Sequence, residues 1–167
     1  MIGLFWVTEN DVYLGLPPAA QQMTGVAMSP SGLRRIGPEE RVWAWSEVTD
    51  LQVDNVPVRS AVVRWATRAT TFVAAALDAW VPGSPAEMTV VVSTGEHRTE
   101  VPVLSAAATA YTQREVDLSH ALLAHFVRGT SSPAILTDWW KETRPVGVLR
   151  SRQREAILDY WAAPLLS

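Results

Sequence analysis

The chain has 167 residues, a formal net charge of −3 and no cysteine. That length fits one domain and can bury a full core without staples. The missing cysteine excludes disulfides, thiolate nucleophiles and Cys-based metal sites. The mild negative charge argues against nucleic acid as a partner. With 48% apolar residues, the composition is that of a folded chain rather than a disordered one.

The N-terminal stretch MIGLFWVTEN has no basic region ahead of its apolar run, so it reads as a strand rather than a signal peptide. Ile2–Val7 and Val12–Leu16 form two short strands joined by an Asx-type turn at Glu9-Asn10-Asp11. Pro17-Pro18 ends the second, because proline cannot donate to a ladder. Gly25–Ile36 breaks at Ser29-Pro30-Ser31-Gly32 and reads as a hairpin of Val26–Met28 with Leu33–Ile36. After the turn Gly37-Pro38-Glu39-Glu40, the stretch Arg41–Val53 alternates through Val42, Trp43, Ala44 and Trp45, then through Leu51, Gln52 and Val53. This is the period of strands with one buried face. Trp43 and Trp45 share a face at that spacing and are expected in the core.

From Arg59 to Trp80 the period changes. Val62, Ala66, Ala69, Val73, Ala76 and Trp80 recur at helical steps, with Arg64, Arg68, Thr71 and Asp78 opposite, which predicts an amphipathic helix. Pro82-Gly83-Ser84-Pro85 stops it. Met88–Val92 and Arg98–Leu104 then form a hairpin around Gly95-Glu96, with Pro102 placing the second strand at an edge.

The remainder is helical. Thr112 and Glu115 have capping-box spacing, and Gly129 is a C-terminal stop. Ser132-Pro133 opens a helix with Ile135, Leu136, Trp139 and Trp140 that ends before Pro145. A last helix near Ser151–Ala162 puts Ile157, Leu158 and Trp161 on one side and Arg152, Arg154 and Asp159 towards solvent. No uncharged apolar run approaches the ~20 residues of a spanning helix, so a cytoplasmic protein is expected.

About seven sharply turned strands followed by a capped helix resemble a bacterial pleckstrin-homology-like (PH- and GRAM-like) domain, in an actinobacterial branch. The residues that carry the resemblance are Gly32-Leu33 and the run from Trp43 and Trp45 through Glu47-Val48 to Leu51 and Val53. It implies an α+β fold: an antiparallel β-barrel, or strongly bent sheet, over residues 1–130 with the inserted helix at about 59–80. Residues 131–167 would be a helical extension packed on the same domain. The first strand connection carries Glu9, Asn10 and Asp11 rather than a basic lipid-binding loop, so the resemblance brings no phosphoinositide binding with it.

No residue pattern carries catalysis. His120 and His125 are five apart, whereas helical metal pairs need four. His125 is expected beside the core stripe, His120 as a solvated partner of Asp117, and His97 in an exposed turn. There is no phosphate loop, dinucleotide fingerprint or nucleophile elbow. Glu39-Glu40 are adjacent on an extended chain and so face opposite ways. Arg34-Arg35 with Arg41 read as a solvated edge that discourages strand addition.

The expectation is a non-enzymatic interaction module or adaptor that needs no cofactor and no metal. Eight tryptophans are many for such a domain. Trp139 and Trp140, about 100° apart on a helix, cannot both point inward, so one of them is expected at the surface. The candidate contact surface is Trp139, Trp140, Arg144 and Trp161, facing a protein partner or a second copy of the chain. Two alternatives are an anionic membrane surface met by Arg64 and Arg68 with Arg34 and Arg35, and a small ligand held between the inserted helix and the barrel.

Overall fold

The computed structural model describes residues 1–19, 23–59, 85–95, 97–107, 110–145 and 147–163. Apart from Arg59, the helix expected at 59–80, with Arg64 and Arg68, lies outside the described residues. Within them the chain is α+β, with eight antiparallel strands rather than about seven. Strands β1 (Phe5–Val7), β2 (Val12–Leu14), β3 (Gly25–Ser29), β4 (Gly32–Ile36) and β5 (Arg41–Ala44) form one sheet in meander order. Strands β6 (Asp50–Asp54), β7 (Glu87–Thr94) and β8 (His97–Leu104) form a second. Helices α1 (Gln113–Val127), α2 (Ala134–Thr143) and α3 (Ser151–Ala162) follow.

The sheets do not close into one continuous barrel among the described residues. They are tied at one corner. The Leu16 N–H donates to the Leu104 carbonyl (2.7 Å), and the Thr24 hydroxyl donates to the Pro102 carbonyl. Pro102 thus sits on the end strand β8, where a missing donor costs the ladder nothing. Gly15 makes the corner tight: its φ of +77° is left-handed, and a Cβ there would run into the Leu104 carbonyl oxygen.

Alternation fills the space between the sheets. Phe5, Val7, Val12, Leu14, Leu33 and Trp43 come from the first sheet, and Leu51, Val53, Val90, Val92, Val101 and Val103 from the second. Helix α1 closes the assembly with Leu122, Leu123 and Phe126, all buried. Phe126 meets Phe5 edge-on at 6.4 Å and Trp45 at 6.2 Å. Trp43 is 2% exposed, as strand spacing predicts. Trp45 falls in the turn just after β5, half-buried, and its Nε1 donates to the Ser29 carbonyl (2.9 Å). The basic cluster at this edge is neutralised locally. Arg34 pairs with Glu40 (3.6 Å) and Arg35 with Glu39 (2.9 Å), while Arg41 lies 5.3 Å over the Trp43 ring.

The capping box is complete. Thr112 Oγ1 accepts from the Glu115 N–H (3.1 Å) and Glu115 Oε2 from the Thr112 N–H (2.9 Å). Two expectations for side chains near α1 are corrected. His120 does not pair with Asp117, which accepts from Gln113 (2.8 Å). Instead His120 Nε2 lies 3.2 Å from the carbonyl oxygen of Val53 and 3.4 Å from its nitrogen. β6 is an end strand, and backbone groups left open on it in a half-dry setting compete better for the imidazole than a hydrated carboxylate does. Arg154 does not face solvent. It is 6% exposed, and its Nε donates to Glu115, which is wholly buried. Helical spacing showed Arg154 opposite the apolar side of α3, but α3 packs on α1, and the Glu115 carboxylate waits there.

Tyr111, fully buried, latches the loop ahead of α1. Its hydroxyl oxygen accepts from the Ala106 N–H (3.1 Å) and from Ser105 Oγ (3.4 Å). Burial raises the phenol pKa, against the lowering effect of these hydrogen bonds. The folded phenol therefore holds its proton to higher pH than the unfolded one does. The stability it contributes is present below the ordinary phenol value of about 10 and is lost as pH rises through the raised folded value. Tyr111→Phe is expected to cost about 1 kcal/mol at neutral pH, because two donors lose their acceptor. It should also flatten the alkaline limb of a stability–pH curve measured by urea denaturation; an unchanged limb would show that Tyr111 does not contribute to it.

Candidate functional site

Helix α2 starts where Ser132 Oγ accepts from the Ala134 N–H (3.3 Å) and Pro133 supplies a helical φ of −55°. It stops at Arg144, whose left-handed conformation (φ 41°, ψ 60°) lets its N–H reach the Trp140 carbonyl (2.9 Å). Pro145 follows and cannot continue the helix. An arginine with positive φ is held there at a cost of order 1–3 kcal/mol, of the kind that collects at functional sites. Leu136 and Leu158, both fully buried, root α2 and α3 in the core.

This arrangement turns both tryptophans of α2 partly inward. Trp139 and Trp140 are each half-buried and packed against the core, so neither is the fully exposed ring that helical spacing predicts. The difference arises because α2 lies in the angle between β1 and α3 and is contacted on two sides. Trp139 meets Trp161 edge-on at 5.7 Å with an interplanar angle of 86°. Trp161, itself half-buried, thus packs its ring against Trp139.

Between α2 and β1 lies a half-open cleft of about 180 Å³. Trp6 and Val7 of β1, Trp139 and Trp140 of α2, and Pro145 and Leu149 of the α2–α3 connection are among its walls. Arg144 and Arg150, both exposed, bracket that connection. The Leu149 wall is held from below, because Arg154 Nη1 donates to the Leu149 carbonyl (2.6 Å) and Nη2 to Ser151 Oγ (3.1 Å). The buried Arg154–Glu115 pair thus links the α1 cap to the wall of the cleft. Thr112 Oγ1 extends the network by donating to Glu155 (2.6 Å).

Of the residues singled out in the sequence, the structure brings together Trp139 and Trp161 in ring contact and places Trp140 in the cleft wall, with the exposed Arg144 next to the lining residue Pro145. Trp6, Val7, Leu149 and Arg150 escaped notice because they are distant in sequence or look ordinary. One signal existed. Trp6 alternates with Phe5 and Val7, so it had to occupy the outer face of β1, an odd place for an indole unless something covers it.

The cleft presents hydrophobic surface and hydrogen-bonding backbone. Among the described residues no three His, Asp or Glu side chains come together as a metal site requires. No helix among them is long and apolar enough to cross a membrane. Neither a protein-family model, nor a curated protein, nor a solved structure matches this chain.

Proposed function

We propose that the chain is a non-enzymatic protein-interaction module of PH-like fold, acting as an adaptor, with the cleft between β1 and α2 as its contact surface. The observation that carries this reading is the cleft itself, in which three indoles, Trp6, Trp139 and Trp140, meet at the rim of a sheet. Tryptophan in a partly desolvated pocket is the residue type that dominates interface energetics. The PH-like assignment rests on a five-stranded meander, a three-stranded sheet tied to it at the Leu16–Leu104 corner, and a capped helix across the opening. On this reading the two sheets would correspond to a barrel that has opened.

A photoreactive amino acid replacing Trp140 is expected to crosslink a protein partner in the native host, or a second copy of the chain. The same probe replacing the exposed Glu100 on β8 should not. Equal labelling from both positions, or none from either, removes the cleft as the contact surface. Stable turnover in a substrate screen, lost on one polar substitution in the cleft, would replace the module with an enzyme.

A further inference from the structure

We propose that the cleft between β1 and α2 binds an extended acidic peptide segment of a protein partner. One large apolar side chain of the segment sits among Trp6, Trp139 and Trp140, its main chain bonds to Val7, and its carboxylates face Arg144 and Arg150. This names the partner chemistry of the interaction module and rests on that reading.

The backbone of β1 supplies the first argument. In an antiparallel pair, residues alternate between turning their N–H and C=O towards the neighbouring strand and away from it. The Thr8 N–H donates to the Asp11 carbonyl (2.9 Å) and the Gly15 N–H to the Leu4 carbonyl (2.9 Å). Positions 4, 6 and 8 therefore commit their backbone groups to the β2 side, and positions 5 and 7 direct theirs outward. Phe5 is closed off by the chain folding back, because Ile2 donates to its carbonyl (2.8 Å) and it donates to the carbonyl of Ile2 (3.0 Å). Val7 has no such partner among the described residues; its side chain is in the core and the residue is 3% exposed, but it meets the cleft. An unpartnered N–H and C=O at the wall of a cleft complement another extended main chain. Acyl chains of a lipid offer neither donor nor acceptor.

Size and charge supply the rest. About 180 Å³ between indoles suits one large apolar side chain, the anchor-in-pocket arrangement of interface hot spots. Arg144 and Arg150 are exposed and enter no ion pair among the described residues. They stand at the two ends of the connection that contributes Pro145 and Leu149 to the cleft. Of the exposed charges on α2, Asp138 lies round the helix from Trp140, while Glu142, three residues after Trp139, shares its side and has Lys141 one step round from it. Along α2 and the connection, the exposed Lys141, Arg144 and Arg150 outnumber the exposed Asp138 and Glu142, on a chain whose net charge is −3, which favours acidic flanks on whatever carries the anchor.

The test is selection of random peptides on phage against the full chain. Enriched sequences should carry a Phe, Trp, Leu or Ile flanked by Asp or Glu. A synthetic representative should bind about tenfold or more weakly to Trp140→Ala, the expected loss for an anchor wall. It should also weaken several-fold with Arg144→Glu/Arg150→Glu or at high salt, as rim charges do. N-methylation of the peptide bond beside the anchor should weaken it comparably, by removing the partner of Val7. The Arg substitutions are at exposed positions, so they keep the test valid should Trp140→Ala fail to fold. No enrichment, enrichment of non-acidic sequences, or affinity indifferent to the Arg pair overturns the proposal. Anionic vesicles that outbind the peptide and lose binding in the Arg variant overturn it in favour of a membrane. If the photoprobe at position 140 still captures its partner while the peptides prove non-acidic, the acidic-peptide proposal falls and the interaction module stands. Failure of both experiments removes both.

Discussion

Arg154→Met is expected to lower the free energy of unfolding by about 3–5 kcal/mol, the usual result of stranding one member of a buried ion pair. Glu115 would keep a carboxylate at 0% exposure with one oxygen still held by the Thr112 N–H and the other bare. For a domain of this size the melting temperature should fall by roughly 10 °C. The paired replacement Glu115→Met/Arg154→Met should recover most of that loss, because an apolar pair of similar volume carries no desolvation penalty. What remains missing is the carboxylate half of the capping box, the bond from the Thr112 N–H, worth up to about 1 kcal/mol. Arg154 also holds the Leu149 carbonyl, so the single variant should disturb the cleft, seen as a red shift of tryptophan emission in the folded state. Chemical denaturation of the three variants checks the stability ordering. If the single variant were as stable as the wild type, Arg154 would not be paired as described.

Gly15→Ala is expected to destabilise by about 2–4 kcal/mol, combining a left-handed backbone with overpacking against a main-chain atom that cannot rotate away. The comparison is Gly129→Ala. Gly129 is equally left-handed at φ +68°, but nothing lies within 4 Å of a Cβ there, so only the conformational cost of about 1 kcal/mol applies. The difference between the two variants measures how tightly β8 is held against the β2–β3 connection. Equal losses would mean that the corner is loose and the sheets are not joined there. Amide exchange of Leu16, whose N–H spans the corner, should quicken in Gly15→Ala and stay unchanged in Gly129→Ala.

Most strands and helices were legible because their signals are local. The hairpin of β3 and β4 follows from a polar break between two apolar runs, and β7 from its β-branched run. The start of α1 follows from Thr112 and Glu115 three residues apart. The eight strands include β5 and β6, which divide the alternating stretch Arg41–Val53 between the two sheets. The site was half legible. Trp139 and Trp140 stood out by composition and spacing, and Arg144 by its place before a proline. Trp6 and Val7, more than a hundred residues earlier, carry no mark that joins them to α2. Arg154 and His120 were misread for one reason: periodicity gives the direction of a side chain about its own element but is silent on what stands in that direction.

By itself the sequence determined the alternation of the strands, the places where the three described helices begin and end, and a chain without cysteine. Those properties depend on backbone sterics, period and capping, which act over a few residues. Only the tertiary structure decided that Trp161 packs on Trp139, that a buried arginine links the α1 cap to Leu149, and that Val7, its backbone unpartnered among the described residues, lies beside three indoles. Each of these is a meeting of groups far apart in the chain. Such meetings are set by how the two sheets and three helices exclude water together, an outcome of the whole packing that no local pattern encodes.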